Sequence, residues 1–250
     1  MPRRLLSVVA LLTGVGLLLF TLYAASDPAA FRRDLTMQWK MEAIEADVFA
    51  RTDLPKAKRA SLMEQLQQAR AANDAFYGTR RAAPTIAFAD NAALKESLAV
   101  GNPFAATFYH RDGILAVVTP RGLNGEVMAH MLSHAEIKER LGAEVFETLP
   151  AWFDEGLATL LDDRPFLADA ALDAKEAEGV ETPPFEVMAE REWFVGTDAE
   201  AHLVLAKLEV RRWYRLVGQQ GVVQLLDRLA AGEDFERAYR EAEAAAGWPE

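Results

Sequence analysis

Two stretches decide the fold expected of this chain: HMLSH at residues 130–134 and WFDEGLA at residues 152–158. His130 and His134 stand four positions apart, so both imidazoles lie on one face of an α-helix, which makes a turn in about 3.6 residues. Glu155 comes later, near the start of a second predicted helix. Two histidines and one carboxylate are the donor set of a zinc site with three protein ligands. The two stretches therefore predict two adjacent helices that share one metal ion.

The residues around these stretches favour both helices. Asn124 is a suitable N-cap, and Gly142 a suitable end, for a helix over residues 126–141. Pro150 suits the first turn of the next helix. An acidic first turn is ordinary in a helix, so Glu155 becomes a ligand candidate only because the histidine pair precedes it.

Together, EVMAHMLSHAE at residues 126–136 and LPAWFDEGLAT at residues 149–159 resemble the active-site helix and the glutamate helix of the gluzincin zinc metallopeptidases. The chain is most similar to the peptidase MA-like domain of bacterial envelope proteins, over about residues 81–245. The resemblance implies an α+β fold, in which a small, mostly antiparallel sheet precedes a helical zincin-like active-site region. It also implies a Zn²⁺ ion bound by His130, His134 and Glu155.

The chain departs from the family pattern at Met131. Gluzincins have a glutamate here, the general base that takes a proton from the metal-bound water, and a thioether has no titratable proton. Glu126 and Glu136, on the same predicted helix, are the alternatives for a relocated base. A further interpretation assigns the thioethers of Met128 and Met131, together with the imidazoles of His130 and His134, to a Cu(I) site, although methionine more often packs as an apolar side chain.

Other candidate residues surround this core. His202, on a predicted C-terminal helix, lies where the resemblance places the residue that stabilises the oxyanion. Tyr109 is expected on an edge strand with which a peptide could pair. Thr159 or Asp162 is expected to hydrogen-bond a ligand histidine. Asp154 is expected to face water or to cap a neighbour, because it lies about 100° round the helix from the ligand position.

Composition limits the classes of function. With 250 residues, 51% of them hydrophobic, the chain can bury a substantial core. Its formal net charge of −11 argues against nucleic acid as a partner, since phosphate binding requires clustered lysine and arginine. Cysteine is absent, which excludes disulfides, thiolate nucleophiles and cysteine-based zinc sites.

The N-terminus predicts a membrane segment. Arg3 and Arg4 precede residues 5–25, which carry no charge and are long enough to cross a hydrocarbon layer of about 30 Å. Residues 1–26 are therefore a signal anchor, or a cleaved signal peptide if the small residues at 24–26 form a signal-peptidase site. Either alternative places the following domain outside the cytoplasm, in the periplasm or the extracellular space.

The remaining sequence divides at about residue 80. Residues 27–80 have a helical pattern, in which Trp39, Ile44 and Val48 belong to a first helix and a second helix follows a break at residues 52–55. These helices brace the domain, form a stalk or dock a partner. Residues 81–250 form the expected gluzincin-like domain. Its strands are predicted at residues 85–89, 104–109 and 114–118, with a hairpin turn at residues 110–113.

The sequence as a whole predicts a membrane-anchored, extracytoplasmic zinc-binding domain. Without the usual base, hydrolysis loses a contribution of about 10²–10⁴ in rate, so the domain is expected to be a pseudopeptidase. Its expected partner is a peptide or protein of the cell envelope. An active zinc metallopeptidase and a metal-free structural domain are the two alternatives.

Overall fold

The computed structural model describes residues 21–23, 25–111, 113–180 and 182–247. Residues 5–20 of the predicted membrane segment lie outside these ranges. Among the residues described, no helix has both the length and the apolar character needed to cross a membrane.

The described chain is an α+β protein, with a five-stranded sheet followed by a mainly helical region. The strands are β1 (Glu42–Glu45), β2 (Val48–Ala50), β3 (Thr85–Phe88), β4 (Ala105–His110) and β5 (Gly113–Val118). The helices from residue 28 onwards are α1 (Pro28–Lys40), α2 (Lys56–Tyr77), α3 (Ala92–Ser97), α4 (Gly125–Thr148), α5 (Ala151–Thr159), α6 (Asp169–Ala177), α7 (Phe185–Met188), α8 (Ala199–Ala230) and α9 (Phe235–Ala245). Short 3₁₀ turns lie at Pro120–Gly122 and Arg191–Phe194.

The sheet is mixed, which corrects the expectation of a mostly antiparallel sheet. Its strand order is β1-β2-β3-β5-β4. The two hairpins, β1–β2 and β4–β5, are antiparallel, whereas β2–β3 and β3–β5 are parallel pairs. The parallel pairs arise because helix α2 crosses from β2 to β3, and because α3 and β4 intervene between β3 and β5. Strand β4 lies at one edge of the sheet, as expected for Tyr109.

The hairpin β1–β2 corrects the prediction that residues 27–80 are helical. Ile44 and Val48, assigned from their spacing to a first helix, lie instead on paired strands, and α1 ends before them at Lys40. Val48 is fully buried and pairs with Ile86 of β3, far along the chain. Pairing with a distant strand thus overrides a local helical pattern, and β-branched residues suit such a half-buried surface.

Helices cover both faces of the sheet. On one face, Ile86 packs in a cluster with Leu66 of α2 and Leu132 of α4. On the other face, Leu115 packs in a cluster with Leu94 of α3, and α1 contributes to the same cluster. Helix α4, which carries the two histidines, is therefore fixed directly against the sheet.

Helix α5 lies unusually close to α8, and a glycine makes this approach possible. A Cβ atom on Gly156 would lie 2.3 Å from Cγ2 of Val210 and 2.8 Å from the carbonyl oxygen of Ala206. Helix α4 changes direction at Gly142, where φ is +72°, and then continues to Thr148. The sequence predicts that the helix ends at Gly142, whereas a further helical segment follows this residue. These two glycines set the positions of α4 and α5, which meet at the candidate site.

Candidate metal centre

Three donor atoms from α4 and α5 converge. The Nε2 atoms of His130 and His134 are 3.1 Å apart, and Oε2 of Glu155 lies 3.4 Å from the first and 3.5 Å from the second. Bonds of about 2.0–2.1 Å to a tetrahedral zinc ion place its donor atoms about 3.3 Å apart. The three side chains are partly exposed, so a ligand from solution can reach them. This group could hold a metal ion, as the sequence predicts for these three residues.

A carboxylate lies beside the other nitrogen of each imidazole. Nδ1 of His134 is 2.8 Å from Oδ1 of Asp154, in a hydrogen bond. Nδ1 of His130 is 3.4 Å from Oδ2 of Asp162, close enough for attraction but without hydrogen-bond geometry. An ionised carboxylate only accepts hydrogen bonds, so Nδ1 of His134 carries a proton and its Nε2 faces the other two donor atoms. This is the tautomer in which histidine binds a metal through Nε2.

Two imidazole nitrogens and a carboxylate at such short range require a cation between them. Burial alone lowers the pKa of His134, but the charges of Asp154 and Glu155 outweigh it and raise the pKa to about 10. Burial raises the pKa of Glu155, yet the two imidazoles lower it well below its usual range. Without a metal, a proton on His134 is therefore the compensating cation at neutral pH. Metal binding has to displace this proton.

Arginines hold the two outer carboxylates in turn. Asp154, almost fully buried, accepts a hydrogen bond of 2.9 Å from Nη1 of Arg191. Asp162, fully buried, accepts hydrogen bonds of 2.6 and 2.9 Å from Arg164. Although burial raises the pKa of Asp162, His130 and Arg164 lower it well below its usual range. Both carboxylates are therefore ionised acceptors, as the tautomer assignment requires.

The structure corrects two expectations about the residues beside the histidines. Asp154 does not face water, because it accepts a hydrogen bond from the imidazole of His134. The feature of the sequence that could have indicated this role is its position beside the candidate ligand Glu155. The hydroxyl of Thr159 donates to the carbonyl oxygen of Gly156 in its own helix at 2.8 Å, so it does not support a histidine. Asp162 is the member of the predicted pair that lies beside an imidazole. Arg191 and Arg164 were missed, since neither belongs to the two motifs.

Met131 is a core residue. Its side chain is 2% exposed and packs in the cluster between α4, α2 and the sheet, and Met128 belongs to the same cluster. Both thioethers therefore pack as apolar groups, which is the alternative to their binding of Cu(I). The position that carries the general base in gluzincins therefore holds no group that accepts a proton.

The proposed relocated bases lie elsewhere. Glu136 is fully buried and accepts hydrogen bonds from the backbone N–H groups of Arg81 and Ala82 and from the side chain of Arg140. It is fixed as a structural acceptor, which corrects its role as a candidate base. Glu126 is exposed in the first turn of α4. Among the residues described, the acids beside the two imidazoles are Glu155, Asp154 and Asp162, and each of them already has a partner there.

The two remaining candidates, His202 and Tyr109, have other partners. His202 hydrogen-bonds to the carbonyl oxygen of Trp193 and stacks on its ring, with 3.6 Å between the ring centroids. It is not a member of the donor group formed by α4 and α5. Tyr109 donates a hydrogen bond of 3.2 Å to the carbonyl oxygen of Lys138 and so ties the edge strand β4 to the histidine helix.

Comparisons of the chain with known protein families, with curated proteins and with solved structures found no match. The likeness to gluzincins therefore depends on the two sequence motifs and on the convergence of the three donor atoms.

Proposed function

We propose that this protein is a gluzincin-like zinc-binding domain that has lost efficient peptide hydrolysis and acts by binding or regulation. The observation that carries the proposal is the triangle of Nε2, Nε2 and Oε2 atoms, with edges of 3.1, 3.4 and 3.5 Å. Its edges match the donor spacing of a tetrahedral zinc ion, and imidazole and carboxylate are donors that zinc accepts.

Each residue around the centre has a defined part. His130, His134 and Glu155 would hold the ion, and three protein ligands leave one position open for a further ligand. When bound, zinc supplies a Lewis acid that polarises an oxygen ligand. Asp154 orients the imidazole of His134 and keeps its Nδ1 atom protonated, and Asp162 lies beside Nδ1 of His130. These residues supply both the ligands and the supporting contacts that zinc binding would need.

The site lacks a group that would transfer the proton of water during hydrolysis. In a peptidase of this type a carboxylate takes a proton from water and passes it to the leaving amine. Met131 can do neither, and Glu136 is committed to backbone N–H groups. We therefore infer that peptide bonds are cleaved at least about 10²-fold more slowly than a complete site would allow.

The N-terminal sequence and the sheet edge support a proposed location and a proposed partner. The apolar residues 5–25 behind Arg3 and Arg4 support a membrane-anchored protein whose domain lies outside the cytoplasm. Within the described part of the chain, strand β4 lies at one edge of the sheet, where an extended peptide of an envelope protein could add a strand. Protease treatment of intact cells, or of spheroplasts, would test this location, since only an external domain is degraded.

A metal-free structural domain is the second candidate. It is favoured by the raised pKa of His134, because a proton there satisfies the same nitrogens and carboxylates without any metal. Metal analysis of the purified full chain separates the two candidates. About one zinc per chain, with a melting temperature that falls on chelation, supports the first; no bound zinc and no response to chelator supports the second.

The loss of activity is tested by the substitution Met131→Glu, with Met131→Gln as the matched control. We expect the glutamate variant to gain chelator-sensitive cleavage of casein by at least about 10²-fold over the glutamine variant, because only the former supplies a base. Residue 131 is buried, so both variants are expected to melt at a lower temperature than the natural chain. Efficient cleavage by the natural chain itself would contradict the proposal.

A further inference from the structure

We propose that Arg191 is a positioning residue for the metal centre, which it serves by holding Asp154 against His134. The inference rests on the proposed function and adds to it a residue that lies outside both sequence motifs. Arg191 begins the 3₁₀ turn Arg191–Phe194, in the segment between α7 and α8.

Arg191 is linked to His134 through the carboxylate of Asp154. Nη1 of Arg191 donates to Oδ2 of Asp154 at 2.9 Å, and Oδ1 of the same carboxylate accepts from Nδ1 of His134 at 2.8 Å. The two oxygens of Asp154 are thus shared between one guanidinium and one imidazole. Because Asp154 is 2% exposed, water does not replace a lost partner easily. The orientation of Asp154, and through it that of His134, depends on Arg191.

Arg191 is itself held by two contacts with Phe146, and its segment is held by a further backbone hydrogen bond. Its Nη2 donates to the carbonyl oxygen of Phe146 at 3.1 Å, and its guanidinium carbon lies 4.4 Å from the centre of the Phe146 ring. Two residues earlier, the carbonyl oxygen of Ala189 accepts a hydrogen bond of 3.0 Å from the N–H of Ala151, at the start of α5. The segment that carries Arg191 is therefore fastened both to the end of α4 and to the beginning of α5. A guanidinium so held is preorganised for a carboxylate.

Charge gives a second reason for this arrangement. Asp154, Glu155 and Asp162 bring three carboxylates to a site with two imidazoles. Arg164 pairs with Asp162, and Arg191 pairs with Asp154. Without Arg191, the buried Asp154 would face His134 alone, and it would be free to turn toward the ion as a competing ligand. Arg191 thus keeps Asp154 as a support for the histidine.

The test compares Arg191→Gln and Arg191→Lys with a control, Arg228→Gln, in the full chain. Arg228 forms ion pairs with Glu233 and Glu241 near the C-terminus, and its side-chain exposure of 29% is close to the 38% of Arg191. Zinc affinity is measured by competition with a chromophoric chelator, and the geometry of the centre by the visible absorption spectrum of the Co²⁺-loaded protein. Melting of the metal-free chains is measured in parallel.

We expect Arg191→Gln to weaken zinc binding by about 10–100-fold and to change the Co²⁺ spectrum. Arg191→Lys should recover part of the affinity because it keeps a donor and a charge, and Arg228→Gln should bind zinc as the natural chain does. If both Arg191 variants keep the natural affinity and spectrum, Arg191 has no positioning role. The same conclusion follows if Arg228→Gln weakens zinc binding equally, since the effect is then one of general stability. If the natural chain binds no zinc, the proposed function fails first.

Discussion

The two candidate ligand histidines, His130 and His134, are supported in different ways. His134 has a hydrogen bond of 2.8 Å to Asp154, and the arginine on that carboxylate comes from a distant segment between α7 and α8. His130 has only a looser contact of 3.4 Å to Asp162, whose arginine stands two positions further along the chain. One side of the centre is thus built by long-range packing and the other by local structure. The difference implies that the His134 side is the more sensitive to changes in tertiary structure.

We expect the loss of either candidate ligand histidine to have the same effect on zinc binding, and this effect should be the largest of those predicted. His130→Ala and His134→Ala each remove one of three protein donors, so each should abolish stoichiometric zinc binding in the purified chain. Metal analysis after dialysis measures this directly. The natural chain treated in the same way is the control. Zinc retained by either variant would show that the three donors do not form the centre.

The supporting carboxylates should separate the two sides. Asp154→Asn removes the charge from a hydrogen-bonded support, so we expect zinc affinity to fall by about 10–100-fold. Asp162→Asn alters a contact that lacks hydrogen-bond geometry, so its effect on affinity should be several-fold smaller. Competition with a chelator measures both dissociation constants. Equal losses, or a larger loss for Asp162→Asn, would contradict the comparison.

The smallest expected effect is the dependence of the stability of the metal-free chain on pH. The pKa of His134 is raised to about 10 in the folded protein, against about 6.5 for an unperturbed histidine. This raised pKa therefore contributes stability that is complete below pH 6.5 and is lost as the pH rises through about 10. We expect the melting temperature of the metal-free chain to fall by a few degrees between pH 7 and 9.

We expect zinc to stabilise the chain more at higher pH, because fewer molecules then carry the His134 proton that zinc has to displace. The rise in melting temperature on adding zinc should be larger at pH 8.5 than at pH 6.5, as measured by calorimetry. Asp154→Asn, which removes the first of the charges that raise the pKa of His134, is the control and should show a flatter pH dependence. A metal-free chain with constant stability over this range would mean that His134 holds no such proton.

Local patterns in the sequence predicted much of the fold. The strands at β3, β4 and β5 and the hairpin between the last two are confirmed, whereas the helix that was predicted to end at Gly142 changes direction there and continues to Thr148. These features depend on neighbours within a few residues, such as a short apolar run or the turn residues between two strands. The hairpin β1–β2 was missed because its stability comes from pairing with β3, which no local pattern records.

The sequence by itself determined the donor types and the side of the helix they share. Histidines four apart must lie on one face of α4, and Met131, whatever the fold, supplies no proton acceptor. Only the tertiary structure decided that Glu155 reaches both imidazoles, that Asp154 holds His134 and that Arg191 holds Asp154. These contacts join residues of separate elements, and their distances depend on how α4, α5 and the segment before α8 pack together. Spacing along a chain sets the chemistry available, whereas the packing of distant segments sets which atoms meet.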